Sequence, residues 1–356
     1  MKKIITVVGA RPQFIKAATL SRQFQLFGIE ELIIHTGQHF DANMSDVFFE
    51  EMEIPKPAFQ LNIHSLTHGA MTGRMLEGIE DILIKEKPEG VIVYGDTNST
   101  LAGALAASKL HIPVIHVEAG LRSFNMQMPE EINRILTDRI SDLLFCPTST
   151  AVTNLLREGY GDLPIKICKN GDVMQDAAIY YAAKAELKSD ILKQINLPSF
   201  VLATIHRQEN TDSPENLRNI VAGLNDINSK IPVIVPIHPR TRKILAQMKL
   251  VPKFKMIEPV GYFDMIILLK HCDLVITDSG GVQKEAFFFG KHCITLREQT
   301  EWVELVENGY NILVGSNSHK LEFAFANLIS KSSDFSLDLY GKGHAAERAA
   351  EEILNY

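Results

Sequence analysis

The chain has 356 residues, long for a single core and comfortable for two domains. Its 46% hydrophobic and 22% charged residues are those of an ordinary soluble globular protein, and no run approaches the 18 or more apolar residues of a membrane span. A net charge of −7 argues against nucleic acid as the main partner, because phosphate-backbone binders usually carry a basic excess.

Strand and helix patterns alternate along the chain, which predicts parallel sheets covered by helices on both faces. Met1, Lys2 and Lys3 lead straight into an apolar segment at 4–8, too short for a signal-peptide core, so 3–8 reads as a first strand. Gly9, Ala10, Arg11 and Pro12 then turn into a helix carrying Phe14, Ile15, Ala18 and Leu20. The turn lacks G-x-G-x-x-G, so the usual dinucleotide fingerprint is missing. Arg11 and Lys16 flank the helix start, where cations can meet an anionic ligand at strand C-termini, or simply form a solvated basic helix start. A second strand at 32–35 is followed by Thr36, Gly37, Gln38 and His39, with helix patterns at 44–52 and 71–85.

The strand at 91–94 ends in Gly95, Asp96, Thr97, Asn98, Ser99 and Thr100, and a helix at 101–110 follows. Asp96 either caps that helix or is a catalytic carboxylate; Thr97, Asn98 or Ser99 would cap equally well, which favours function. The next strand, 114–117, runs into Glu118, Ala119 and Gly120, and a glutamate between a β-branched run and a glycine is poorly explained as surface filler. Glu130 and Glu131 open a helix, where acids are electrostatically favoured with or without a function. Arg134, Asp138 and Asp142 are expected to pair on that helix or at its end. A strand at 141–146 follows, and Asn170, Gly171 and Asp172 read as a hinge turn.

In the second half, a helical region at 173–194 leads to a strand at 200–204 that ends in Ile205, His206 and Arg207. A strand at 232–236 ends in His238, Pro239, Arg240, Thr241 and Arg242, a basic cluster suited to phosphate or a carboxylated sugar. His206 and His238 each lie just beyond a strand, which favours a site role over core packing. A strand at 254–257 precedes Glu258 to Tyr262, similar to a loop that holds a base or ring.

The strand at 274–276 then passes through Thr277, Asp278, Ser279, Gly280 and Gly281 into a helix expected to open at Val282. Unpaired backbone N–H groups and the helix dipole make such a turn a seat for phosphate, and two glycines let an anion approach the backbone. Glu285 lies one turn past Gly281 on the same face, where a carboxylate suits a ribose diol. The same residues also read as a capped helix after a buried strand. Cys146, Cys168, Cys272 and Cys293 have no C-x-x-C spacing, so buried thiols in a reducing compartment, the cytoplasm, are expected rather than disulfides or a metal site.

The predicted architecture is α/β, two Rossmann-like doubly wound domains facing across a cleft, over 1–170 and 171–342. A last helix within 343–356 is expected to return to the first domain. The N-terminal domain would carry the carboxylates and the C-terminal one would grip the nucleotide.

Several stretches resemble the non-hydrolysing UDP-N-acetylglucosamine 2-epimerases: Gly9 to Pro12; Thr36 to His39; Gly95 to Thr97; His116 to Arg122; Pro129 to Arg134; His206 and Arg207 with Glu209 and Asn210; Asp278 to Gly281 with Gln283 and Glu285. They fall in order from residue 9 to about 315. The resemblance implies a GT-B type fold, a cytoplasmic homodimer, a UDP-sugar substrate and no cofactor. Carried over by position, the catalytic set falls on Asp96, Glu118, Glu130 and His206. The substrate-binding set falls on Arg11, Lys16, His238, Ser279, Gly280, Gly281 and Glu285, joined by Arg207 of the His206–Arg207 motif and by Tyr262 of the loop similar to one that holds a base or ring. The segment 123–128 is shorter than in the UDP-N-acetylglucosamine enzymes and the stretch 40–44 is unlike theirs; with 281–290 and 299–304, the chain resembles a branch acting on UDP-2,3-diacetamido-2,3-dideoxy-glucuronic acid for O-antigen. The extra carboxylate of that sugar needs a cation, for which Arg122, Arg134, Arg240 and Arg242 are candidates. Allosteric activation by substrate, a property of the UDP-N-acetylglucosamine enzymes, is not expected. UDP-N-acetylglucosamine itself as substrate, a hydrolysing epimerase, a GT-B glycosyltransferase and a nucleotide-sugar sensor are the competing readings.

Overall fold

Runs such as Ile4 to Val8 and Val91 to Tyr94 have no polar face to turn to water, and both are buried on either side of a sheet. Residues 2–38 and 52–356 are described by a computed structural model, without the side chain of Arg11. Arg11 as a ligand contact, and the predicted segments after Gln38 up to residue 51, fall outside the described residues.

The chain divides into two compact units, Met1–Ala177 with Asp338–Tyr356, and Ala178–Leu337. Among the described residues, the first carries the strands β1 (Lys3–Val8), β2 (Glu30–His35), β3 (Phe59–Gln60), β4 (Gly90–Tyr94), β5 (Val114–Val117), β6 (Leu143–Cys146) and β7 (Lys166–Lys169). All pair in parallel, in the order β3-β2-β1-β4-β5-β6-β7. The second carries β8 (Val201–Thr204), β9 (Val233–Pro236), β10 (Lys255–Ile257), β11 (Leu274–Thr277), β12 (Cys293–Thr295) and β13 (Asn311–Leu313), parallel in the order β10-β9-β8-β11-β12-β13. Each sheet therefore reverses its winding once, between β1 and β4 and between β8 and β11. These are the points where a doubly wound sheet opens a crevice at its strand C-termini. Two such Rossmann-like units constitute the GT-B composition.

In the first unit the helices are α1 (Arg11–Phe27), α2 (His68–Glu86), α3 (Asn98–Lys109), α4 (Pro129–Arg139) and α5 (Ser149–Arg157). The helix α6 (Val173–Lys188) runs from it into the second unit, where α7 (Ile191–Ile195), α8 (Gln208–Thr211), α9 (Pro214–Asn228), α10 (Pro239–Gln247), α11 (Tyr262–His271), α12 (Gly280–Phe288), α13 (Val303–Glu307) and α14 (Ser318–Leu328) follow. The last helix, α15 (Ala345–Asn355), packs on α1. Its opening amides at Ala345 and Ala346 donate to the Asp176 carboxylate at 3.2 and 2.7 Å.

Small residues bring α3 down onto the sheet. A Cβ on Gly103 would come within 3.1 Å of both Val7 and Val93, tighter than an ordinary contact, so glycine suits that approach over β1 and β4. The turn at Asn170 to Asp172 is braced rather than free. Gly171 has φ +103, a Cβ there would meet the Tyr340 carbonyl at 2.5 Å, and the Asp172 amide donates to that carbonyl at 2.8 Å. The helix expected to open at Val282 opens at Gly280, and that expected at Leu101 opens at Asn98, because Ser279 and Thr97 are the N-caps. The short strands β3, β7 and β13 lie beyond the predicted set; two to four residues at or near a sheet edge carry too little alternation to be seen.

Burial pushes the Glu31 carboxyl up to about 7, against hydrogen bonds from Ser21 and Thr6 that act the other way. Between about pH 4.5 and 7 the unfolded chain has released this proton and the folded chain has kept it, so stability falls as pH rises through that window. Urea unfolding of Glu31→Gln should lose this slope and exceed the wild type at pH 8 by about 3 kcal/mol.

Candidate functional site

Polar groups gather where β1 and β4 diverge. Gln13, one turn into α1, is wholly buried and ties the switch point together. Its Oε1 accepts from the Gly9 and Ala10 amides at 2.8 and 3.0 Å, and its Nε2 donates to the Tyr94 carbonyl at 2.8 Å and to Thr97 and Thr100 hydroxyls at 3.0 and 2.9 Å. Gly9 is obligatory, since a Cβ would lie 2.1 Å from Thr36 Oγ1 and 2.2 Å from Ser99 Oγ. Thr97 caps α3, accepting from the Thr100 amide at 3.2 Å, so Asp96 is not used as the cap.

Asp96 instead pairs with Arg134 of α4, whose other nitrogen donates to Glu131 at 2.5 Å. Asn133 holds the Asp96 carbonyl at 2.9 Å. Glu118, one residue beyond β5, pairs with Lys16 of α1. Its backbone sits at φ +74, a region that costs a side-chain-bearing residue about 1–2 kcal/mol. A cavity of about 210 Å³ opens here, lined by Lys16, Gln38, His68, Asp96, Asn98, Glu130 and Asn133 among others. Asp96 and Glu130 thus share one cavity with Lys16, and Lys16 links them to Glu118.

The second unit builds a separate cluster at β8 and β11. Asp278 is wholly buried, and it accepts from the His206 and Arg207 amides, each at 3.0 Å, from Asn210 at 3.2 Å, and from His206 Nδ1 at 3.1 Å. Burial pushes this carboxyl up, but the bond and charge of His206 with these donors outweigh it and hold it below the usual range. His206 is thereby anchored while its ring remains half exposed. Ser279 caps α12, and Gln283 braces the turn by donating to the Ser279 carbonyl at 3.2 Å. A Cβ on Gly281 would meet nothing within 4 Å, and one on Gly280 only the Trp302, Glu301 and Arg207 side-chain tips at 3.7–4.0 Å. Neither glycine has a positive φ. The fold alone therefore does not demand glycine at either place, and the turn leaves room for an anion to approach the backbone. His238 lies just past β9, next to β8, with Nδ1 accepting the Arg240 amide at 3.2 Å. Glu285 is buried on α12, one turn from Gly281.

Other sequence candidates are placed differently. Arg122 is 3% exposed and locked between Asp138, at 2.7 Å, and a bidentate Glu158, both contacts at 2.7 Å, so no face of it is turned to a ligand. Asp138 pairs with His116 and Arg122 rather than with Arg134, and Asp142 accepts the Val114 amide at 2.8 Å. Arg240 and Arg242 are taken up by Asp212 and Glu258. Tyr262 opens α11 with its ring buried edge-on against Tyr181. Gln13, His116, Asn133 and Asp278 carry the site geometry yet were not singled out as site residues. Nothing local marks them, because each has partners that lie 21 to 87 residues away. Among the described residues no cluster of His, Cys, Asp and Glu could hold a metal ion, and no helix is long and apolar enough to cross a membrane.

The family of UDP-N-acetylglucosamine 2-epimerases matches residues 25–354. A UDP-2,3-diacetamido-2,3-dideoxy-D-glucuronate 2-epimerase of Pseudomonas aeruginosa is 56% identical over 353 residues, 99% of each chain. A UDP-N-acetylglucosamine 2-epimerase of Methanocaldococcus jannaschii is 46% identical over 99% of each chain. The crystal structure of the M. jannaschii UDP-GlcNAc 2-epimerase in complex with UDP-GlcNAc and UDP matches with a TM-score of 0.91 over the whole of both chains. Staphylococcus aureus MnaA, solved with UDP, matches at 34% identity and a TM-score of 0.88, over 100% of this chain and 97% of that one.

Because Gly281 has open space and a helical backbone, Gly281→Ala should leave thermal stability unchanged or raise it by about 0.5–1 kcal/mol. Calorimetric titration should then show UDP affinity lowered at least about tenfold, roughly 1.4 kcal/mol.

Proposed function

Because the chain belongs to the UDP-N-acetylglucosamine 2-epimerase family, whose members are UDP-sugar isomerases, we propose that it inverts C2 of a UDP-2-acetamido sugar by eliminating UDP and adding it back. The physiological substrate is UDP-2,3-diacetamido-2,3-dideoxy-glucuronate, giving the mannuronate epimer. The 56% identity to the Pseudomonas aeruginosa enzyme supports this choice over UDP-N-acetylglucosamine, which is the second reading through the 46% relative. The observation that carries the chemistry is the cavity that Asp96 and Glu130 share with Lys16, the partner of Glu118.

The C2 hydrogen of a nucleotide sugar has no adjacent carbonyl to acidify it, so its removal must be coupled to loss of a leaving group. A carboxylate takes the C2 proton as the C1–O bond to UDP breaks, and the electron pair becomes the C1=C2 double bond of a 2-acetamidoglycal. Delivery of a proton to the opposite face of C2, with return of the phosphate oxygen to C1, completes the inversion. Together, Asp96, Glu118 and Glu130 supply the base, the acid and the stabilisation of developing positive charge. The Ser279–Gly281 turn, with Arg207, His238 and His206, receives the departing diphosphate charge. Glu285 accepts from the ribose hydroxyls. The first unit is thus the catalytic domain and the second the nucleotide-binding domain.

The enzyme works in the cytoplasm, where UDP-sugars for surface polysaccharide such as O-antigen are made, and it acts as a homodimer. Ile132 and Leu136 lie one turn apart on α4, 40% and 46% exposed, and Phe124 and Met126 just before it are 75% and 58% exposed. Apolar surface of this kind suits a second copy of the chain.

Incubation with each UDP-sugar in D2O, read by NMR, should yield the C2 epimer with deuterium at C2. Free sugar plus UDP would identify a hydrolase, and UDP release that needs an acceptor would identify a transferase. Asp96→Asn and Glu118→Gln should lower kcat at least about a hundredfold with UDP binding kept. Leu136→Glu should shift the sedimenting species from dimer to monomer.

A further inference from the structure

His116, the third residue of β5, is wholly buried. Its Nδ1 lies 2.7 Å from Asp138 Oδ1 and its Nε2 lies 2.7 Å from the Gly95 carbonyl oxygen. A carbonyl oxygen can only accept a hydrogen bond. The buried Arg122 guanidinium, paired with the other oxygen of Asp138, keeps this carboxyl ionised whatever the state of His116. Its second oxygen already accepts from Arg122 at 2.7 Å and from the Gly120 amide at 3.2 Å. Asp138 is therefore an acceptor on both sides. A neutral imidazole has one donor and one acceptor nitrogen, and here either tautomer would set a lone pair against an acceptor oxygen at 2.7 Å.

We infer that His116 is an imidazolium in the folded enzyme, and that it is the positioning residue that fixes the Gly95–Asp96 peptide for catalysis. The charges around it balance. Arg122 bridges Asp138 to Glu158, so the chain His116, Asp138, Arg122, Glu158 holds two cations and two anions. Cys146 of β6 and Tyr160 approach the same carboxylate, and burial pushes both of their groups up, so they remain neutral.

Gly95 is where this network touches the reaction. It has φ +63, its amide donates to the Val117 carbonyl at 2.9 Å, and its carbonyl receives the imidazolium. A Cβ on it would lie 3.2 Å from Lys16 Nζ and 3.3 Å from Glu118 Oε2, so its backbone forms the wall behind that ion pair. The next residue is Asp96. A charge-assisted bond is about twice as strong as a neutral one, and it orients the peptide that carries the Asp96 side chain. The role rests on the reading in which Asp96 acts on the sugar.

The test uses the full-length chain labelled with 15N at histidine, together with His116→Asn. Long-range proton–nitrogen NMR near neutral pH should show protons on both His116 ring nitrogens in the wild type. H116N, whose amide carries no charge and can donate in only one of the two directions, should lose about a hundredfold in kcat with KM little changed. An unprotonated His116 nitrogen, wild-type kcat in H116N, or a loss confined to KM would each overturn the inference. If H116N does not fold, the nitrogen measurement on the wild type decides. A wild type that turns over no UDP-sugar would instead sink the proposed function, and the nitrogen signals would still report on the imidazolium.

Discussion

Both units are governed by one constraint of parallel sheets: where the winding reverses, neighbouring strands send their helices to opposite faces and leave their C-terminal ends uncovered. At β1 and β4 this sets Gly9, Gly95 and Asp96 at the divergence, and at β8 and β11 it sets His206 and the Ser279–Gly281 turn there. Backbone groups at such ends have no ladder partner. They must be satisfied by side chains such as Gln13 and Asp278, or by a ligand.

Satisfying them produces two layers in each unit. An inner layer of buried side chains makes the hydrogen bonds: Gln13, His116, Asp138 and Arg122 in the first unit, Asp278, Asn210 and Gln283 in the second. An outer layer, Lys16, Asp96, His206 and Arg207, is thereby held in place while retaining some access to solvent. Buried ion pairs of this kind add little net stability, because desolvation offsets most of the Coulombic gain, whereas removing one partner costs about 3–5 kcal/mol. Their contribution is geometric. Once Arg122 is committed between Asp138 and Glu158, it is a strut of the loop after β5 and not a receptor for a substrate carboxylate.

Backbone strain points the same way. Glu118 keeps a left-handed backbone that glycine would adopt without penalty, and Gly95 and Gly120 adopt similar angles on either side of it. A Cβ on Gly120 would run into the Ala151 carbonyl at 2.5 Å, so that glycine is a packing requirement. Gly281 meets no such obstacle. The two kinds of glycine look alike in a sequence and differ only in what surrounds them.

The amino-acid sequence by itself determined the alternation of apolar strands and amphipathic helices, the division into two parallel-sheet halves, and the polar residues that sit just past each strand. These are local properties, carried by side-chain period and turn chemistry. That Thr97 caps α3 and so leaves Asp96 for another use was already foreseeable from the run of hydroxyl and amide residues after Gly95. Tertiary structure alone decided which charges meet. Arg134 pairs with a carboxylate 38 residues earlier in the chain, Lys16 with one 102 residues later, and His116 with Asp138 and the Gly95 carbonyl. Charged side chains have no periodic signature that names their partner; the partner is set by which strand ends the winding of the sheet brings side by side.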